Sequence, residues 1–330
     1  MKTARFSLLL LFLLPLVACA PPPEEFWIYT STYKEVYPLY EPGLREAFPA
    51  VAFRWYQSGS EKIAAKILAE EKGGGAQADL LMTSDLFFYQ ELKKLDLLLP
   101  LSGPGVESVP AVYLDPDHAF AINRLPLMVI AYNREKITGD EVPKSFADLL
   151  DPRYEGRLTM PSPLESGSAL TTALYLHQRF GPPYFEALRR VDVLAAGGNG
   201  ATLSRIQSGE RPVGIVLLEN LLKAEEMGLR SVAWVYPEEG ALPVPAPLAI
   251  FRGTDDVELA RRVLDWFFSE EARAIVVKGW IHSVFPGDPP PAGAPALAEL
   301  ELHPWDLATF EQWGTRRQEV KTRFQKTVLE

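Results

Sequence analysis

The stretch "AFAINRLPLMVIAYN", Ala119–Asn133, decides how the rest of the chain is read. It is mostly apolar and carries Pro126 near its middle, a residue that a helix interior does not tolerate. A run this long and extended predicts a passage between two bodies of the protein. Upstream, "FWIYTS" (Phe26–Ser31), "AVAFRWYQS" (Ala50–Ser58) and "ADLLMTS" (Ala78–Ser84) read as strands. Between and after them, "EKIAAKILAEEK" (Glu61–Lys72) and the pattern Leu86–Leu95 read as helices. Downstream the theme repeats. "GRLTMPS" (Gly156–Ser162) is a strand, "ESGSALTTALYLHQRF" (Glu165–Phe180) opens a helix, and "GNGATLSRIQSGE" (Gly198–Glu210) is another helix. "RPVGIVLLEN" (Arg211–Asn220) then reads as a buried strand. A second extended, proline-rich run, "SVAWVYPEEGALPVPAPLAIFRG" (Ser231–Gly253), leads back. Two such crossings around a middle block predict two α/β lobes joined by a two-stranded hinge. The expected lobes are residues 26–122 and 123–244, with 245–285 returning to the first lobe. Residues 286–330 form a C-terminal helical segment that packs on either lobe.

The amino terminus reads as an export signal. Lys2 and Arg5 precede the apolar run "FSLLLLFLLPLVA", which is shorter than the ~20 residues of a spanning helix. It ends in "LVAC", a lipobox, which predicts cleavage of residues 1–18 and lipidation of Cys19, the only cysteine. The next residues, to 25, read as a proline-stiffened tether. The whole chain has a formal charge of −10, and loss of Lys2 and Arg5 makes it more negative. An acidic body without a basic cluster argues against nucleic acid as a partner. Catalytic signatures of the G-x-S-x-G, H-E-x-x-H and Walker types are missing from the sequence. His118, His177, His282 and His303 lack metal-ligand spacing. Neither an enzyme, a cofactor nor a bound metal is therefore expected.

The strand ends share one chemistry. Ser31 and Thr32 follow the first strand, and Thr32 and Glu35 have capping-box spacing. Ser58, Gly59 and Ser60 follow the second, with Ser58 and Glu61 again at capping-box spacing. Ser84 follows the third, Ser166, Gly167 and Ser168 open the middle helix, and Asn199 lies between glycines. Each has an ordinary reading as an N-cap, whose oxygen accepts a free backbone N–H. Together they also read as an anion site. Ligands of open α/β sheets lie beyond the carboxyl ends of strands, where helix N-termini carry partial positive charge. On that second reading, replacing Ser166 and Ser168 by alanine should lower affinity before stability.

The series "YTS", "SGSEKIAAKI", "ADLLMTSD", "RLPLMVIAYN", "SFADLLDPRYEGRLTMPSP", "ESGSA", "SGERPVGIV" and "GWIHSVFP", together with the lipobox, resembles bacterial solute-binding proteins of ABC importers. The nearest branch in pattern is that of ferric-binding proteins with the type 2 periplasmic fold. The resemblance implies α/β lobes with a mixed sheet each and capture of a small solute for a membrane permease. It also implies a monomer, held by its lipid on a membrane facing the periplasm or cell exterior. Ferric-binding relatives carry adjacent tyrosines just after the strand matched by "RPVGIVLL"; here the positions read Leu218, Glu219 and Asn220. Ferric iron therefore stands as the alternative ligand. A side branch that binds phosphorylated organic solutes implies Glu219, with Asn220 beside it, as an acceptor of sugar hydroxyls and Arg124 as a partner of phosphate; the ordinary readings are a solvated charge at a strand end and a structural ion pair. Tyr33, Trp55 and Trp280 are candidates for a stacking wall or for plain core.

Overall fold

The computed structural model describes residues 24–314 and 316–330. Cys19, the lipobox and most of the tether lie outside the described residues. Twelve strands are present among those described: β1 (Glu24–Thr30), β2 (Val51–Gln57), β3 (Leu80–Met82), β4 (Ala121–Leu125), β5 (Leu127–Asn133), β6 (Leu158–Met160), β7 (Leu194–Ala195), β8 (Val213–Leu217), β9 (Val232–Val235), β10 (Leu242–Pro243), β11 (Ala246–Ile250) and β12 (His282–Ser283).

They form two mixed sheets. The first has the order β12-β4-β11-β3-β1-β2, and the second β10-β5-β8-β6-β7, with β9 also paired to β5. In the first sheet β1, β2 and β3 run parallel, whereas β11, β4 and β12 join antiparallel. In the second β6, β7 and β8 run parallel and β5 joins antiparallel. The parallel strands require crossover helices, which is why helical patterns alternate with them in the sequence. The two-sheet α/β architecture is the one expected.

Both crossings lie side by side. β4 ends at Leu125 in the first sheet and β5 starts at Leu127 in the second, so the chain changes lobe at Pro126 rather than at Asn123. The return passes between Pro243 and Ala246, and the Val244 N–H donates to the Pro126 carbonyl at 2.8 Å. This displacement puts Arg124 on the first lobe, where Ser283 and Ala246 flank it in register.

The carboxy-terminal segment touches both lobes. The helix Leu307–Gly314 places Phe310 between Phe87 of lobe 1 and Tyr175 of lobe 2, at ring separations of 4.9 and 5.9 Å. The helix Arg317–Phe324 sets Phe324 against Phe185 of lobe 2 at 5.3 Å. Phe310, Val320, Phe324 and Val328 are all buried and belong to the core.

Candidate functional site

The carboxyl ends of the parallel strands of both sheets face one another across a cavity of about 200 Å³. Ser31 and Thr32 follow β1, Ser58–Ser60 follow β2, and Ser84 follows β3. From the other side come Ser166 and Ser168 beyond β6, Asn199 beyond β7, and Glu219 beyond β8. Arg124 of β4 closes the floor. Eleven of the thirteen residues expected at a ligand site therefore line a single space. Gly167 and Asn220 stand beside it. A Cβ on Gly167 would come within 2.6 Å of the Ser84 carbonyl oxygen and 2.7 Å of Asp85 Cβ. Only a bare backbone lets the two lobes meet there. Asn220 Oδ1 accepts a hydrogen bond from the Tyr33 hydroxyl at 2.9 Å, a link across the cleft mouth.

Local structure departs from four of the expected caps, Thr32, Ser58, Ser84 and Asn199, the last because Gly198 is the N-cap of the helix Asn199–Ser208. No helix begins at Thr32: the chain after β1 makes a turn closed by the Val36 and Tyr37 amides on the Tyr33 carbonyl, and the next helical turn starts at Tyr37. Nor does Ser58 form a capping box with Glu61. Gly59 is the N-cap of the helix Ser60–Gly73 without a side-chain cap, and Glu61 is instead drawn to Arg317 and Lys321. Asp85, rather than Ser84, caps the helix Leu86–Lys94 by accepting from the Phe88 amide. On the other side, Ser166 caps the helix Gly167–Phe180 through the Ala169 amide. The strand expected through Asn220 ends at Leu217, and a helix, Leu218–Glu226, starts there, so Glu219 sits in a first helical turn.

The lobe 2 hydroxyls form one network. Ser166 Oγ and Ser168 Oγ are 2.9 Å apart, Asn199 Nδ2 donates to Ser168 Oγ at 2.9 Å, and Asn199 Oδ1 accepts from the Leu217 amide at 3.3 Å. Three helix starts are thereby held in fixed relation. On lobe 1, Ser31 Oγ accepts from the Ser84 amide at 3.1 Å. The buried Thr32 hydroxyl has no partner among the described residues.

Arg124 and Glu219 carry the electrostatics. Arg124 is 2% exposed; its Nη1 donates to Asn123 Oδ1 at 3.0 Å, while Nη2 has no partner among the described residues. Burial lowers its pKa, with nearby Tyr40, Tyr89 and Glu219 acting the other way. A guanidinium nonetheless stays charged in proteins. Glu219 is 5% exposed, and burial pushes its carboxyl up to about 8, against the opposing pull of a backbone hydrogen bond and of Arg124. The cavity thus combines a buried cation with a carboxyl that holds its proton more tightly than it would in water. Desolvation of an unpaired cation is costly, and an anion seated on it relieves that cost.

Residues 76–311 match the family of bacterial extracellular solute-binding proteins. This chain belongs to that family. A probable ABC transporter periplasmic-binding protein of Sinorhizobium fredii is 26% identical over 234 residues, covering 66% of this chain and 62% of that protein. The chain thus spans under two thirds of that curated relative's length. Among solved structures, the periplasmic binding protein AfuA of Actinobacillus pleuropneumoniae, with fructose-6-phosphate bound, superposes with a TM-score of 0.82 at 21% identity. The alignment covers 93% of this chain and 99% of AfuA. Iron-bound HitA of Pseudomonas aeruginosa gives 0.81 at 18% identity, covering 92% and 99% of the two chains. These likenesses establish the two-lobed type 2 periplasmic fold for this member of the family.

Several cavity residues lay outside the expected set: Gln57, Glu165, Gly198, Leu217 and Ile281. They flank expected positions by one or two residues, or arrive on the returning chain. Of the aromatic candidates, Tyr33 lines the cavity, Trp55 packs on Tyr37 at 5.1 Å, and Trp280 donates from Nε1 to Glu226 outside it. His282 is buried with Nε2 at 2.9 Å from the Pro295 carbonyl, and its neighbour Ile281 faces the cavity instead.

Proposed function

We propose that this protein is the extracytoplasmic receptor of an ABC importer, anchored on a membrane by lipid at Cys19. It acts as a monomer that captures a small phosphorylated organic solute, of the sugar-phosphate kind, and presents it to a permease. The observation that carries this reading is Arg124: a deeply buried guanidinium with a free Nη2, on the floor of a cavity walled by hydroxyls and helix starts.

The phosphate sits on Arg124 with the hydroxyls of Ser31, Thr32, Ser58, Ser60 and Ser84 and the backbone N–H groups of Gly59 and Ser60, since the amides of Ser31, Thr32, Ser58 and Ser84 are engaged within lobe 1. Backbone donors at helix N-termini suit such a group because they add positive potential without a mobile counter-charge. Ser166, Ser168, Asn199 and Glu219 face the organic part, whose hydroxyls can donate to and accept from a protonated carboxyl. Asn220 and Gly167 take part by closing the mouth. At about 200 Å³ the cavity is below the ~300–1,000 Å³ of pockets for drug-sized ligands, which favours a single sugar unit over an oligomer. Solute contacts from both lobes stabilise the closed arrangement by hinge bending at Pro126 and Val244.

Isothermal titration calorimetry with fructose 6-phosphate, fructose and inorganic phosphate tests this reading. The sugar phosphate is expected to bind more tightly than either part alone. A ferric ion in the native mass spectrum of freshly purified protein, with visible absorbance and no response to the sugar phosphate, would sink it.

A further inference from the structure

The carboxy-terminal segment joins two bodies that must move apart for solute to enter. It is seated on lobe 2 by Phe324 against Phe185, by Trp313 near His177 at 6.5 Å, and by the Glu330 carbonyl, which accepts from Arg189 Nη2 at 2.7 Å. From that seat its cations reach lobe 1. Arg317 Nη2 meets Glu61 Oε1 at 2.9 Å and Asp85 Oδ2 at 2.8 Å, Nη1 meets Glu91 at 3.3 Å, and Lys321 pairs with Glu61. The guanidinium also lies over the Phe88 ring at 5.7 Å.

These pairs are not surface decoration. The side chains of Arg317 and Lys321 are 13% and 10% exposed, and those of Glu61 and Asp85 are 11% and 0%. The carboxylates stand at the roots of the solute loops: Glu61 follows Ser60, and Asp85 follows Ser84 and touches Gly167 across the cleft. A buried charge needs its partner, so the arrangement that supplies all partners at once is favoured over those that separate them.

We propose that the helices Leu307–Gly314 and Arg317–Phe324 form a cross-lobe brace, in which Arg317 and Lys321 on lobe 2 pair with Glu61 and Asp85 on lobe 1 and bias the cleft toward closure. Arg317 and Lys321 are thus positioning residues: they act on solute through the lobe geometry, without touching the cavity. The brace shifts an equilibrium between open and closed forms. It needs no particular solute, so it stands or falls apart from the sugar-phosphate reading.

Small-angle X-ray scattering of the full chain without added solute, at a temperature well below unfolding, tests it. Arg317→Gln with Lys321→Gln removes the cations, and Glu61→Gln removes the shared carboxylate from the other lobe, which keeps the test alive if the double variant fails to fold. Arg323→Gln is the control, because Arg323 pairs only with Glu319 of its own helix among the described residues. The radius of gyration should rise in both test variants and stay at the wild-type value in the control. Unchanged scattering in the folded test variants, even with a lower melting temperature, would reduce the cluster to a structural role and overturn the brace. In parallel, fructose 6-phosphate should bind the test variants about tenfold or more weakly than wild type. Silence of wild type toward that probe would count against the solute assignment alone, since the scattering comparison is made without it.

Discussion

The two walls of the cavity are built from the same residue types but serve differently. On lobe 2, Ser166, Ser168 and Asn199 bond to one another and to the Leu217 amide, so their polar atoms are largely committed within the protein. On lobe 1, the Thr32 hydroxyl and one arm of Arg124 lack partners among the described residues. A wall already satisfied sets shape, whereas a wall with unspent donors waits for an outside acceptor. On the proposed reading, anion binding falls to lobe 1 and register of the helix starts to lobe 2.

The sharpest way to break that contrast is Arg124→Met. It should weaken fructose 6-phosphate binding at least a hundredfold by calorimetry, about 2.8 kcal/mol, while the melting temperature of unliganded protein holds or rises. Retained affinity would remove the cation from the site. Next in size is Ser168→Ala, which leaves the buried Asn199 carboxamide without its acceptor. Urea unfolding should show a loss of about 1–3 kcal/mol, comparable with its effect on affinity. This revises the sequence-based expectation that affinity would fall first, because the serine is a structural acceptor. The corresponding lobe 1 change, Ser58→Ala with Ser60→Ala, should do the opposite. Affinity should drop roughly tenfold with stability within about 0.5 kcal/mol of wild type. Equal losses of stability in the two experiments would erase the distinction between the walls.

The last effect concerns pH and is read on stability rather than affinity. Burial raises the Glu219 carboxyl from its ordinary 4.5 to about 8 in the folded chain. Between those values the folded form keeps a proton that the unfolded form releases, so Glu219 makes unliganded stability fall as pH rises through that window. Glu219→Gln should flatten this part of the melting-temperature profile between pH 5 and 8. An unchanged slope would mean that the carboxyl is already ionised in the fold.

Much of this cavity was legible in the sequence. Strand ends carrying Ser31, Ser58, Ser84, Ser166 and Asn199 are local patterns, and the rule that ligands lie beyond carboxyl ends of strands converts them into a shared position. Capping was less legible. Thr32 and Ser58 satisfy the spacing of a capping box, yet neither caps, because Glu61 has a better partner in Arg317 and Tyr37 starts the next helical turn. Glu219 was readable as a candidate acceptor, but not as a buried carboxyl, since burial depends on how the helix Leu218–Glu226 docks on β8. The change of lobe at Pro126 was also hidden, as β4 and β5 form one mostly apolar extended run whose division is made by the strands that pair with each half.

By itself the sequence determined the alternation of strands and helices, the two crossings, and the hydroxyl chemistry at the strand ends. These follow from periodicity, proline and residue type, all local properties. Tertiary structure alone decided which hydroxyls are committed and which are free, that Arg124 lies unpaired beneath them, and that Arg317 reaches from one lobe to the other. Each of those depends on partners far apart in the chain. Arg317 and Glu61 meet across 256 residues, and no spacing rule within a segment encodes such a contact.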